Sequence, residues 1–140
     1  MTAFIIAIAL AVGVQQPSLI GVKSDDGRRA VFERQFGGTL DIPHIGGAIY
    51  LAPKRAWPRQ RNYDIWVVRF DCMARTRTTT ARITYSSWRD PQNVPTTPHR
   101  IDGETNPAVA EQLALVCDRQ SGGRATYRTL DDFLENHPLP

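Results

Sequence analysis

The sequence predicts an α+β fold: a mostly antiparallel sheet packed against one or two short helices and tied by one disulfide. Three observations point there. Residues 64–72 (DIWVVRFDC) are dense in Ile, Trp, Val and Phe, which suit a pleated, half-buried surface. Residues 105–117 (TNPAVAEQLALVC) carry apolar side chains at helical spacing. The chain has two cysteines, Cys72 and Cys117, and each closes one of these segments.

In the first segment, Ile65, Val67 and Arg69 share one strand face, and Trp66, Val68, Phe70 and Cys72 share the other. The second face is apolar and ends in the cysteine. Residues 75–86 (RTRTTTARITYS) form the next strand, and the short connection through Met73 and Ala74 predicts an antiparallel hairpin. Alternation groups Arg75, Arg77, Thr79 and Ala81 with Ile83 and Tyr85. It sends Thr76, Thr78, Thr80, Arg82 and Thr84 to a wet face. Residues 48–52 (AIYLA) are a short strand, 53–62 a basic, proline-punctuated loop, and 88–98 a run of turn residues.

In the helix, Asn106 is the cap and Pro107 suits the first turn. Val109, Leu113, Val116 and Cys117 make one apolar stripe. A strand cysteine and a helix cysteine, each on an apolar face, meet only if that helix packs on that sheet. The bridge and the packing therefore imply each other. Residues 125–128 add an edge strand. Residues 129–136 make a short terminal helix, capped by Thr129, with Asp131 and Asp132 at the positive end of its dipole and Pro138 as the stop. No internal repeat or low-complexity tract stands out.

The domain organisation read from the chain is a signal peptide over 1–16, a flexible or loop-rich mature N-terminus over 17–47, and a single α+β domain over 48–136. The opening MTAFIIAIALAVGVQQ has an apolar run over 3–14 followed by small residues, with cleavage expected after Gly13. The run is short of the ~20 residues a membrane span needs, so no transmembrane segment is expected. It lacks Lys and Arg before the apolar run; the competing assignment is a buried strand or helix opening a cytosolic domain. No cysteine lies just after the run, which argues against a lipid anchor. An even cysteine count fits a disulfide in an oxidising compartment. In a cytosolic chain the same pair would be two buried free thiols.

Net charge is +3, and it is unevenly spread. Residues 54–89 hold nine basic and two acidic side chains, whereas residues 90–140 hold four basic and eight acidic. The basic middle makes Arg69, Arg75, Arg77 and Arg82 candidate anion-binding residues, for an anionic glycan or lipopolysaccharide. The plainer alternative is that the stems of Arg75 and Arg77 cover apolar surface. His44, His99 and His137 lie in proline-adjacent loops or the tail, without metal-ligand spacing. There is no GxSxG, HExxH or P-loop pattern. Asp25-Asp26 and Asp131-Asp132 read as a solvated terminus and a helix start. Trp57, Trp66 and Trp88 read as core or edge packing. No catalytic residue, metal or cofactor is expected.

Residues 63–118 run as a Trp-containing strand, the dipeptide Asp71-Cys72, an R-x-R strand ending in Tyr85, a proline-rich loop and NPAVAEQLALVC. This order resembles the surface-adhesin protein E family of exported proteobacterial proteins. The resemblance implies an antiparallel sheet with packed helices, a strand cysteine paired with one at the end of a short helix, and a surface or periplasmic role. Cys72 and Cys117 match those two positions. The family's glycine-centred hairpin after Tyr85 is replaced here by SSWRDPQN.

The expected function is a periplasmic or secreted, non-enzymatic binding or envelope-associated domain. Its partner is unknown, an envelope component or a protein, and nucleic acid is not expected. The alternatives are an anionic glycan or lipopolysaccharide binder using residues 54–89, and a hydrolase without a recognisable motif.

Overall fold

A computed structural model describes residues 19–34, 44–54 and 62–139. Eight strands form one antiparallel sheet: β1 (Leu19–Lys23), β2 (Arg29–Arg34), β3 (His44–Leu51), β4 (Tyr63–Asp71), β5 (Thr76–Ser86), β6 (Arg89–Val94), β7 (His99–Asp102) and β8 (Thr126–Tyr127). Their order is β6-β5-β4-β3-β2-β1-β8, with β7 pairing beside β6 on the same side of β5. The two helices are short, α1 (Pro107–Val116) and α2 (Leu130–Leu134). Strand makes up 49% of the described residues and helix 14%, so the expected α+β class is corrected to a mainly β, antiparallel architecture. The proposed signal peptide lies outside the described residues.

The class was misjudged because half the strands carry weak patterns. β1 and β2 occupy the segment expected to be loop-rich. They are joined by a tight turn at residues 24–28, where Gly27 has a φ of 81° that favours glycine. β6 reads RDPQNV and is exposed along its whole length, so no buried face imposes alternation on it. The intervening residues 95–98 (PTTP) divide it from β7, opposite Thr80 and Ala81, where β5 bulges in its pairing with β4. Proline suits such an edge, where its missing N–H interrupts no ladder.

The sheet is strongly curled. β1 and β5 are separated by three strands, which in a flat sheet would hold them roughly 19 Å apart. Yet Asp25, two residues beyond β1, contacts Arg77 of β5 at 2.7 Å. α1 bridges the same gap. Gln112 Nε2 donates to Lys23 O at 2.7 Å, Glu111 accepts from Lys23 N at 2.9 Å, and Gly103 after β7 packs against Leu113. The inner face thus encloses the main core: Phe32, Ile49, Leu51, Trp66, Val68 and Phe70 against Val109, Leu113, Leu115 and Val116. Gly47 on β3 permits the closest approach in this core. A Cβ there would lie 2.4 Å from the Phe32 ring. The outer face at the β1–β3 end holds a second, smaller core of Leu19, Val31, Ala52, Tyr127 and Phe133, covered by α2.

The helix signals act as the sequence indicates. Asn106 Oδ1 accepts from Ala108 N and Val109 N at 3.0 and 3.1 Å, and Pro107 opens the first turn. Thr129 Oγ1 accepts from Asp132 N at 3.1 Å. Cys72, in the β4–β5 turn, is bonded to Cys117 at the end of α1, with Cα atoms 5.6 Å apart. Replacing both cysteines by serine should lower unfolding stability by about 4 kcal/mol, the loop-entropy value for a separation of 45 residues. Urea unfolding of the oxidised protein against C72S/C117S measures it; equal midpoints would show that the bridge contributes nothing.

On the outer face, Tyr50, Tyr63 and Tyr85 stand in a row across β3, β4 and β5, with Tyr63 and Tyr85 stacked at 4.9 Å. Burial, then the Glu33 carboxylate that accepts from its hydroxyl, push Tyr50 up to about 12. Its neutral form is favoured in the folded state. Its stabilising contribution is therefore fully present below the ordinary value of 10.0 and lost as pH rises towards about 12. Tyr50→Phe should flatten the fall in stability over that window. An unchanged alkaline profile would show that Tyr50 does not cause it.

Candidate functional site

Two polar clusters lie on the inner face, and a bulge creates both. The β4–β5 register shifts between Val67 and Val68, so Val67 faces Ala81, Val68 faces Thr79, and Thr80 is the extra residue. Directly opposed residues share a face. Arg77 (opposite Phe70), Thr79 (opposite Val68) and Arg82 (opposite Trp66) therefore all point inward. Ile83 and Tyr85 point outward with Ile65 and Tyr63. The alternation expected from sequence breaks at Thr80, because one inserted residue exchanges every face beyond it. Arg82 is thus corrected from the wet face to the inner one, and Arg77 is separated from Ile83 and Tyr85.

The first cluster is structural. The Arg77 side chain is fully buried. Its Nη1 and Nη2 donate to the two Asp25 carboxylate oxygens, each at 2.7 Å, and Nη1 also donates to Gln112 Oε1 at 2.9 Å. Gln112 is 1% exposed and holds Lys23 O with its amide. The β1–β2 turn, β5 and α1 are joined through one guanidinium. Beside it, Asp26 accepts from Arg28 Nε at 2.7 Å, and Arg28 Nη1 donates to Asp64 on β4 at 2.5 Å. Although burial opposes it, bonds to Asp64 and Asp26 raise the Arg28 guanidinium above its ordinary value.

The second cluster is the polar half of the inner face. Along β4 and the residue before it, the inward side chains run from Phe70 and Val68 through Trp66 to Asp64 and Asn62. Along β5 they run from Arg77 and Thr79 through Arg82 to Thr84 and Ser86. The apolar end lies under α1. At the other end Asn62, Asp64, Arg82 and Thr84 are half-buried. The Arg82 guanidinium carbon sits 4.6 Å from the centre of the Trp66 ring, with Arg77 at 5.6 Å.

The four sequence-nominated arginines are not one site. Arg69 is exposed on the outer face, in register with Thr78 and, beyond it, Arg100. Arg75, in the β4–β5 turn with a φ of 56°, makes a two-bond pair with Asp118 at 3.0 and 2.9 Å. That bond draws the Asp118 carboxyl below its ordinary range. Arg77 is committed to Asp25. Only Arg77 and Arg82 come together, over Trp66. Asp25, Gln112 and Asp64 were not nominated by sequence.

The remaining candidates separate as well. His44 Nε2 lies 3.3 Å from Asp71, and His99 is exposed on β7. Among the described residues no group of three His, Cys, Asp or Glu side chains is placed to hold a metal. Trp66 is core, but Trp88 in the β5–β6 turn is 64% exposed, which corrects the expectation that it packs. Trp57 lies outside the described residues. No family model, curated protein or solved structure matches this chain.

Removing one partner of the buried ion pair leaves the other charge uncompensated, which costs about 3–5 kcal/mol. Arg77→Met or Asp25→Leu should each destabilise by that order in urea unfolding. The double variant should lose less than the sum, since no orphan charge remains. Strict additivity would mean that the two side chains do not act as a pair.

Proposed function

We propose that this chain is an exported, non-enzymatic binding domain of the bacterial envelope, periplasmic or secreted. The observation that carries the reading is the disulfide between Cys72 and Cys117. Structural disulfides persist in oxidising compartments and are rare where thiols are kept reduced. The apolar opening of the chain supports the same reading as a cleaved signal peptide. So does the resemblance of residues 63–118 to the surface-adhesin protein E family. Among the described residues no helix is long and apolar enough to cross a membrane.

The partner is an envelope component or a protein. An anionic glycan or lipopolysaccharide is the second reading, and one observation favours it: Arg82 lies on Trp66 with no acidic partner within ion-pair distance among the described residues. The exposed Trp88 at the β5–β6 turn is a natural anchor for a protein partner, since exposed aromatics concentrate binding energy when a partner covers them.

Intact mass of the protein from the envelope fraction, before and after reduction and alkylation, tests the proposal. The expected result is loss of the first 13 to 16 residues, with alkylation of two cysteines only after reduction. A full-length chain with two freely alkylated thiols would overturn export.

A further inference from the structure

Two separate links join the same two segments of the chain. The first is covalent, Cys72 to Cys117, with Cα atoms 5.6 Å apart. The second is the two-bond pair of Arg75 and Asp118, in which Nη1 donates to Oδ1 at 3.0 Å and Nη2 to Oδ2 at 2.9 Å. Arg75 follows Cys72 in the β4–β5 turn, and Asp118 directly follows Cys117 at the end of α1. Both links therefore close one gap, between that turn and that helix end.

Each side of the ion pair is set by its own local structure. Asp71 Oδ1 accepts from Met73 N and Ala74 N at 3.0 and 2.9 Å, which shapes the turn. Arg75 leaves the turn at a φ of 56°, and its carbonyl accepts from Gly103 N at 2.9 Å. Across the gap, Asp118 N donates to Leu113 O at 3.3 Å and Gln120 N to Ala114 O at 3.0 Å, with Arg119 at a φ of 56°, a left-handed helix stop. None of these contacts uses a sulfur atom. Both cysteines are half-buried, and their neighbours Met73, Ala74 and Asp118 are exposed, so the bridge lies at the surface, within reach of small thiols.

We propose that Arg75 and Asp118 are the non-covalent half of a redox clamp. On reduction the ion pair keeps the end of α1 on the turn, so the two thiols stay opposed and the bond re-forms within the folded chain. A pair and a bond that close one gap strengthen each other, and such coupling is reciprocal. Closure takes two exchanges with a low-molecular-weight disulfide such as glutathione disulfide. One cysteine thiolate attacks a glutathione sulfur, which breaks that S–S bond, releases one glutathione thiolate and leaves a mixed disulfide on the chain. The second cysteine thiolate attacks the protein sulfur of the mixed disulfide. The Cys72–Cys117 bond forms, the second glutathione leaves, and the two electrons lost by the cysteines reside in the two glutathione thiols. Opening by glutathione is the reverse. The chain has no third cysteine to divert the exchange. This role is separate from any ligand the domain binds.

Redox titration and hydrogen exchange of the full chain test it. In buffers of graded glutathione to glutathione disulfide ratio, the effective concentration of the thiol pair is read from the reduced fraction after acid quenching and alkylation. Arg75→Gln and Asp118→Asn should each lower it by about two- to fivefold, the range for a solvent-exposed ion pair. The double variant should lose no more than either single change. Salt at roughly 1 M should bring the wild-type value down towards those of the variants. The amides of Cys117, Asp118 and Gln120 should exchange faster in the reduced variants than in the reduced wild type, and at equal rates in the oxidised proteins. Equal effective concentrations in wild type and both variants overturn the clamp. Faster exchange in the oxidised variants as well would mark a plain structural brace and overturn it too. A variant that does not fold leaves two decisive readings on the wild type: an effective concentration indifferent to salt, or loss of the α1 amide signals on reduction, each of which overturns it.

Discussion

The fold depends on one buried guanidinium. Arg77 reaches Asp25 across a gap that a flat sheet would leave roughly four strand spacings wide. Closing that gap curls the sheet around α1 and turns one face into an enclosed core. Burying Arg77 is costly, and the geometry repays it with two carboxylate bonds and a third from Gln112. Gln112 then carries the constraint into the backbone at Lys23. The disulfide secures the opposite side of the same arrangement, fixing the end of α1 to the turn after β4. Helix and sheet are therefore locked at both flanks of the apolar contact between them. A purely apolar core would hold the layers together without specifying how far the sheet curls; a pair with defined bond directions specifies it.

How polar side chains come to lie on the inner face follows from the bulge at Thr80. Without it, Arg77 and Arg82 would point to opposite faces, since they are five positions apart. The extra residue brings both inward, with their guanidinium carbons 5.6 and 4.6 Å from the centre of the Trp66 ring. Arg77 meets Asp25 because the β1–β2 turn folds over that end. Arg82 lies beyond the reach of that turn, and the nearest acidic side chain along β4, Asp64, is held by Arg28. Two arginines of the same strand thus differ in role through what the curl brings to each. Bulges recur where a side chain must be re-aimed, and here the re-aimed side chain is Arg82.

Legibility in the sequence tracked local chemistry. The cap at Asn106, the proline at the start of α1, the apolar stripe of Val109, Leu113 and Val116, and the Thr129 cap are all decided within a few residues, and each was readable. So was β4, because Trp66, Val68 and Phe70 alternate on a buried face. β6 was not, because all six of its residues are exposed and hydrogen bonding alone makes it a strand. β1 and β2 carry a turn signal outweighed by the surrounding loop residues: LIGVK and RAVFER flank Asp26-Gly27, a recognised hairpin turn pair. Missing them turned a mainly β chain into an expected α+β one. The Arg77–Asp25 pair, separated by 52 positions, left no local trace at all.

The same distinction explains why the basic segment misleads when read as a unit. Nine basic residues between 54 and 89 look like a single field, but the fold assigns the four nominated arginines to four environments. Arg75 braces the turn beside the disulfide through Asp118, Arg77 curls the sheet, and Arg69 sits on the outer face. Charge summed along a sequence measures long-range attraction, which salt screens within about 8–10 Å. Recognition needs a cation whose direction is fixed and whose donors are uncommitted. Arg82 lies over the Trp66 ring, with no carboxylate within ion-pair distance among the described residues. What the fold brings beside each arginine, and not the net charge of the segment, therefore decides what that arginine does.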